Sequence, residues 1–118
     1  MSTITNTQIS IVAGDDKTLT FTFVNSAGAV VDISGYTGFF TVKTNKTDTD
    51  EQAKIAKSWT SHSDPTNGVT SLALVPADTA DLLGNYYFDV QLKSGAGLIY
   101  TPIRGTFTVL DNITIRTT

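Results

Sequence analysis

The chain has no cysteine, one histidine, one tryptophan, one methionine and only three prolines. Without cysteine there is no thiol nucleophile, disulfide framework or thiolate metal site, and the redox compartment stays open. Charge is also sparse, at 16% of residues; ordinary soluble domains carry roughly 25%. Eight basic side chains against eleven acidic ones give a net charge of −3. The sequence shows no basic run to displace counterions from a phosphate backbone, so nucleic acid is not expected as a partner. No apolar run approaches the roughly 18 residues of a membrane span, so no membrane partner is expected. Met1-Ser2-Thr3-Ile4-Thr5-Asn6 has neither a basic start nor an apolar stretch. The expectation is therefore synthesis in the cytoplasm without a signal peptide.

What is present is a core and a great deal of threonine. Hydrophobic residues make up 40% and aromatics 9% of the 118 residues, too apolar for disorder and long enough for one domain. The twenty-one threonines supply the polarity that charge does not. A branched Cβ packs well on a pleated surface while its hydroxyl stays wet, so this composition points to strands.

Alternation along the chain agrees. Thr18 to Val24 places Leu19, Phe21 and Phe23 on one face and three threonines on the other. Asn25-Ser26-Ala27-Gly28 then supplies turn chemistry, and residues 29–33 read as the return strand of a hairpin. Gln8 to Val12 forms a shorter strand before the Gly14-Asp15-Asp16 turn. Phe40 and Val42 share a face in 39–43, and Ile55 and Trp59 share one in 54–60, with an exposed polar loop over 44–52, expected to be mobile, between them. Asp64-Pro65-Thr66-Asn67-Gly68 is a strong turn. Leu72 and Leu74 point inward in 69–75. The clearest strand is 86–93, where Tyr86, Phe88, Val90 and Leu92 oppose Tyr87, Asp89, Gln91 and Lys93. A last run over 98–110 keeps Ile103, Phe107 and Val109 inward. Pro102 and Gly105 mark an edge or bulge in it. Pro76 and Gly84 bracket one short helical turn near residues 77–83.

Seven to eight short strands with frequent turns and almost no helix define an all-β, immunoglobulin-like antiparallel β-sandwich. One domain is expected over residues 1–118, with its core at about 8–110 and polar tails at 1–7 and 111–118.

Few residues suggest chemistry. Asp81-x-x-Gly84-x-Tyr86 resembles a tyrosine corner, a fold device in which a Tyr hydroxyl bonds backbone a few residues upstream. His62 has no partner pattern for catalysis or metal binding and reads as a surface histidine. Asp48, Asp50 and Glu51 lie in the polar loop, where a solvated loop competes with a weak cation site. Gly14-Asp15-Asp16 offers too little glycine for a phosphate cradle. The sequons at Asn45-Lys46-Thr47 and Asn112-Ile113-Thr114 lack a secretion signal to give them meaning. Trp59, Tyr87 and Tyr100 are candidate aromatics for a platform that binds glycans. No nucleophile, base and oxyanion donor assemble by spacing, so no enzyme, cofactor or metal is expected.

The order of motifs is more telling than any one of them. Ile11-Val12-Ala13-Gly14-Asp15-Asp16-Lys17-Thr18-Leu19-Thr20-Phe21 precedes Asn25-Ser26-Ala27-Gly28 and Val31-Asp32-Ile33-Ser34-Gly35-Tyr36. Asn67-Gly68-Val69 and Leu82-Leu83-Gly84-Asn85-Tyr86-Tyr87-Phe88-Asp89-Val90-Gln91-Leu92 follow, then Gly105-Thr106-Phe107-Thr108-Val109. This series resembles the immunoglobulin-like N-terminal domain of bacteriophage upper baseplate proteins and related tail and fibre modules. Ile33 stands where leucine is common, and the 44–52 loop is unusually polar.

The resemblance implies a non-enzymatic structural protein of a tailed bacteriophage virion. Its partners would be other virion proteins in the baseplate or tail fibre, with a homo-oligomer in the particle. A capsid decoration or head-fibre base is the close alternative, and a carbohydrate-binding module for host glycans is the competing class. Family members usually continue into a coiled coil or receptor-binding module. This chain stops soon after its last strand, which suggests a free-standing virion component or a piece of a longer protein. Threonine-rich tails can add strands to a neighbour's sheet edge, a physical route to assembly that does not depend on the resemblance.

Overall fold

The computed structural model describes residues 5–25 and 27–111, with the side chains of 5–7, 50 and 102 outside that description. Seven strands carry the fold: β1 (Thr5–Val12), β2 (Lys17–Thr22), β3 (Thr37–Lys43), β4 (Ile55–Trp59), β5 (Val69–Leu74), β6 (Gly84–Lys93) and β7 (Ile99–Leu110). They form a five-stranded sheet in the order β1-β7-β6-β3-β4 and a two-stranded sheet, β2-β5. The chain changes sheet between β1 and β2, β2 and β3, β4 and β5, and β5 and β6. This is the immunoglobulin-like sandwich, with the alternating faces of both sheets closing on one core.

Alternation is what positions that core. Leu19 and Phe21 from the smaller sheet, with Phe23 just beyond β2, meet Phe40, Val42, Phe88, Val90, Leu92, Phe107 and Val109 from the larger one, all buried. Phe40 sits centrally, its ring centroid 6.4 Å from Phe21, 5.6 Å from Phe88 and 6.0 Å from Phe107. The Phe40 and Phe107 rings meet edge to face at 70°, while Phe21 and Phe88 are tilted by 31° and 38°.

Four features differ from the reading of the sequence. The sheet is not wholly antiparallel: β1 pairs parallel with β7, from Thr5 opposite Ile103 to Val12 opposite Leu110. This pairing covers what would otherwise be an open edge on the long β7. It also draws Thr5–Thr7, expected in a polar tail, into the ladder; residues 112–118 of the other tail lie outside the described residues.

The hairpin over 18–24 and 29–33 shrinks to a single bridge between Val24 and Val30. β2 pairs instead with β5. Its extension is fixed elsewhere, because Phe23 N–H donates to the Gly68 carbonyl (2.9 Å) and Ile33 N–H to the Pro65 carbonyl (2.9 Å). The helical turn is shorter and earlier than expected, α1 (Pro76–Thr79). Pro76 sets its first φ, and the Asp78 carboxylate accepts the Val75 N–H (2.8 Å). Finally, the 44–52 loop is organised: Asp48 accepts the Asn45 N–H (3.1 Å) and Gln52 the Thr49 N–H (3.0 Å), leading into a short 3-10 turn, Asp50–Gln52.

One glycine is indispensable to this arrangement. Gly68 is buried with φ +74°, and a Cβ there would lie 2.6 Å from the Val31 carbonyl oxygen and 2.7 Å from that of Phe23. Left-handed backbone costs a substituted residue about 1–2 kcal/mol, and backbone obstacles cannot swing aside as side chains do. Gly68→Ala is therefore expected to destabilise by about 2–3 kcal/mol in urea unfolding. Gly28→Ala serves as the comparison, since it has the same sign of φ but no atom within 4 Å. Equal losses from the two would contradict the packing described here.

Candidate functional site

The same alternation that fills the core dresses the opposite face of the larger sheet. From β6, Tyr87, Asp89, Gln91 and Lys93 point outward; from β3, Phe39, Thr41 and Lys43 do so beside them. β7 contributes Ile99, Arg104 and Thr106, and β1 adds Gln8. A register shift between Val90 and Leu92 marks a β-bulge in β7 between Tyr100 and Ile103, at Pro102, whereas Gly105 pairs regularly opposite Phe88. Together these side chains line an open groove of about 1400 Å³ across the sheet.

Its chemistry is aromatic and basic. Tyr87 is 40% exposed and Ile99 61% exposed, so apolar surface faces water here. Lys46, carried in from the 44–52 loop, holds its ammonium 4.9 Å above the Tyr87 ring, a cation–π contact. Lys43, Lys93 and Arg104 add positive charge, and Asp89, paired across the ladder with Arg104, is the one acidic residue of the lining. Such a surface is suited to holding a partner; its groups do not converge on a point where a reacting atom could sit.

The three aromatics considered for a glycan platform do not share a face. Tyr87 lies on the outer groove. Tyr100 stands opposite the buried Leu92 in the β6–β7 ladder and so turns toward the other side. Trp59 packs against the core from β4 and covers Gly38 of β3, where a Cβ would fall 2.6 Å from the indole. Its Nε1–H donates to the Thr70 hydroxyl at 2.7 Å.

That hydroxyl opens a network the sequence did not disclose. Thr70 is fully buried, and its Oγ1 lies 2.9 Å from His62 Nδ1, while His62 Nε2 lies 2.7 Å from the Tyr36 carbonyl oxygen. A carbonyl only accepts, so Nε2 carries the proton, and Nδ1 then accepts from Thr70. The chain of donors runs from Trp59 through Thr70 to His62 and on to Tyr36, tying β4 and the start of β3 to β5. His62 is thus half-buried and bonded at both ring nitrogens, in place of the surface histidine expected. A threonine–histidine pair suggests a nucleophile and base. Here the hydroxyl is sealed from solvent and already accepts an indole N–H, so it serves cohesion.

At the other end of the sandwich, the Tyr86 hydroxyl donates to the Leu83 carbonyl (3.0 Å) and accepts the Leu83 N–H (3.2 Å). Gly84, at φ +103°, makes the backbone reversal between them, and Asp81 is exposed beside it. α1 is anchored nearby by Thr79, whose buried hydroxyl accepts the Gly14 N–H (2.9 Å), and by a 2.9 Å ion pair between Lys57 and Asp78. Tyr86→Phe is expected to cost about 1 kcal/mol, the net worth of an ordinary hydrogen bond, with the spectrum of the folded protein unchanged. A loss under about 0.3 kcal/mol would mean the hydroxyl does not hold the corner.

Hydrogen bonds from the Ser34 side chain and backbone hold the Asp32 carboxyl below the usual range. It is fully exposed and belongs to a turn. Among the described residues, no cluster of three or more His, Asp or Glu could hold a metal ion, and no helix is long and apolar enough to cross a membrane. No family model matches the chain, and no curated protein matches it either.

Proposed function

We propose that this protein is a non-enzymatic structural component of a tailed bacteriophage virion, docking onto other virion proteins in the baseplate or tail fibre. The observation that carries the reading is the outer face of the five-stranded sheet, where Tyr87, Phe39 and Ile99 stand among basic side chains and, among the described residues, no second layer of strands covers them. Interfaces favour aromatic and arginine residues at their centres, which fits such a face better than it fits a catalytic cleft. The order of motifs, from the Gly14-Asp15 strand opening to Gly84-x-Tyr86, adds the resemblance to phage baseplate and fibre modules. Trp59 is engaged inside the sandwich, which weakens the glycan-binding alternative.

Immunogold electron microscopy with antibodies to the purified chain tests this on phage particles from the strain that carries the gene. Label at the tail tip or fibres is the expected result. Label on the head would replace the tail with the capsid-decoration alternative, and unlabelled particles would overturn the virion reading altogether.

A further inference from the structure

The charge on this chain is segregated. Of its eight basic side chains, Arg116 lies outside the described residues, and four of the other seven (Lys43, Lys46, Lys93 and Arg104) line the outer groove. The chain as a whole is nonetheless acidic, at −3. Four of its eleven acids lie toward one end of the sandwich. Three contacts assemble that end: Ala13 N–H donates to the Leu110 carbonyl (2.8 Å), Gly14 N–H to Thr79 Oγ1 (2.9 Å), and Gly84 pairs with Val109. They bring Asp15 and Asp16 of the β1–β2 turn beside Asp81 and Asp111. Apolar surface accompanies the charge, since Leu83 is 56% exposed and Leu110 48% exposed.

One molecule therefore carries both halves of a complementary pair. A basic, aromatic sheet face is matched in sign by an acidic, aliphatic end. We propose that the outer face of one copy docks the acidic end of a second copy, with Lys93 and Arg104 facing Asp15 and Asp16 across the contact. The two surfaces are different patches, so the contact is head-to-tail. Such contacts close into a ring when the rotation between copies allows and otherwise extend as a filament. Complementary charge at such a contact sets register and partner choice, while the exposed Tyr87, Leu83 and Leu110 supply apolar area. The inference deepens the docking reading by naming a partner, a copy of this same chain.

Light scattering on the full chain tests it at roughly 20 mM and roughly 500 mM salt, where screening lengths differ about fivefold. The expected result is a mass above that of the monomer at low salt, falling toward the monomer at high salt. Two charge reversals, Lys93→Glu with Arg104→Glu on the face and Asp15→Lys with Asp16→Lys at the end, should each weaken association by about tenfold or more. Mixing the two reversed proteins should restore it, because each then presents a complementary surface to the other; restoration also shows that both variants fold. A monomer at both salt concentrations would overturn the inference. So would association that survives either reversal, the face reversal alone abolishing it being the mark of a symmetric face-to-face pair. A monomer that still labels phage particles would sink self-docking and leave the virion reading standing.

Discussion

Phe40→Ala lowers the stability of this fold by about 3–5 kcal/mol, the expected range for emptying a central aromatic site. Phe40 is completely buried and its ring touches partners from both sheets and three other strands: Phe21 on β2, Phe88 on β6 and Phe107 on β7. Loss of the ring removes apolar burial and leaves a cavity that four strands cannot jointly collapse into, because their backbones are fixed by ladder hydrogen bonds. Urea unfolding followed by far-UV circular dichroism reads the change as a lower midpoint. Phe39→Ala, one residue earlier on the outer face, is the internal control. It removes the same atoms from a half-exposed site and should cost less than about 1 kcal/mol. Comparable losses at the two positions would contradict the assignment of faces on β3.

Trp59→Ala carries the second large effect, about 3 kcal/mol, for reasons that combine packing with polarity. The indole covers Gly38 across the β3–β4 pair, where it occupies the space a Cβ would need. Its removal uncovers a glycine in a strand interior, where backbone is otherwise poorly protected. It also leaves the buried Thr70 hydroxyl without the donor at 2.7 Å. Trp59→Phe separates the two contributions: most of the ring remains, the N–H does not. That variant should lose about 1 kcal/mol, the net worth of one hydrogen bond, because the Thr70 hydroxyl keeps its bond to His62. If Trp59→Ala instead unfolds at the same urea concentration as the unaltered protein, the indole is surface decoration and the glycan-platform reading regains its ground.

Several of these features could be read directly from the sequence, and the reason is locality. The β6 strand declares both its faces within ten residues, so Tyr86, Phe88, Val90 and Leu92 were assignable to the core and Tyr87 and Lys93 to the outside. The chemistry of the β5–β6 corner is equally local, because Gly84 and Tyr86 sit within three residues of the Leu83 backbone they serve.

What escaped the sequence depends on distant partners. No pattern near His62 reveals that its ring bonds Tyr36, 26 residues upstream, and Thr70, 8 residues downstream. Its role emerges only when β4 and β5 meet. The parallel pairing of β1 with β7 joins segments almost a chain length apart, and β1 has no compositional sign of direction. The outward charges of β6 and β3 were visible singly. Their concentration into one groove, with Lys46 brought over Tyr87 from a polar loop, required the sheet order.

On the proposed docking role, this sandwich works through the outer face of its larger sheet. Lysine acetylation rates, read by mass spectrometry on the isolated chain and again in purified particles, test it most directly. The account predicts that Lys43, Lys46 and Lys93 become markedly less reactive in the particle. Unchanged reactivity of all three in particles that contain the protein would contradict it.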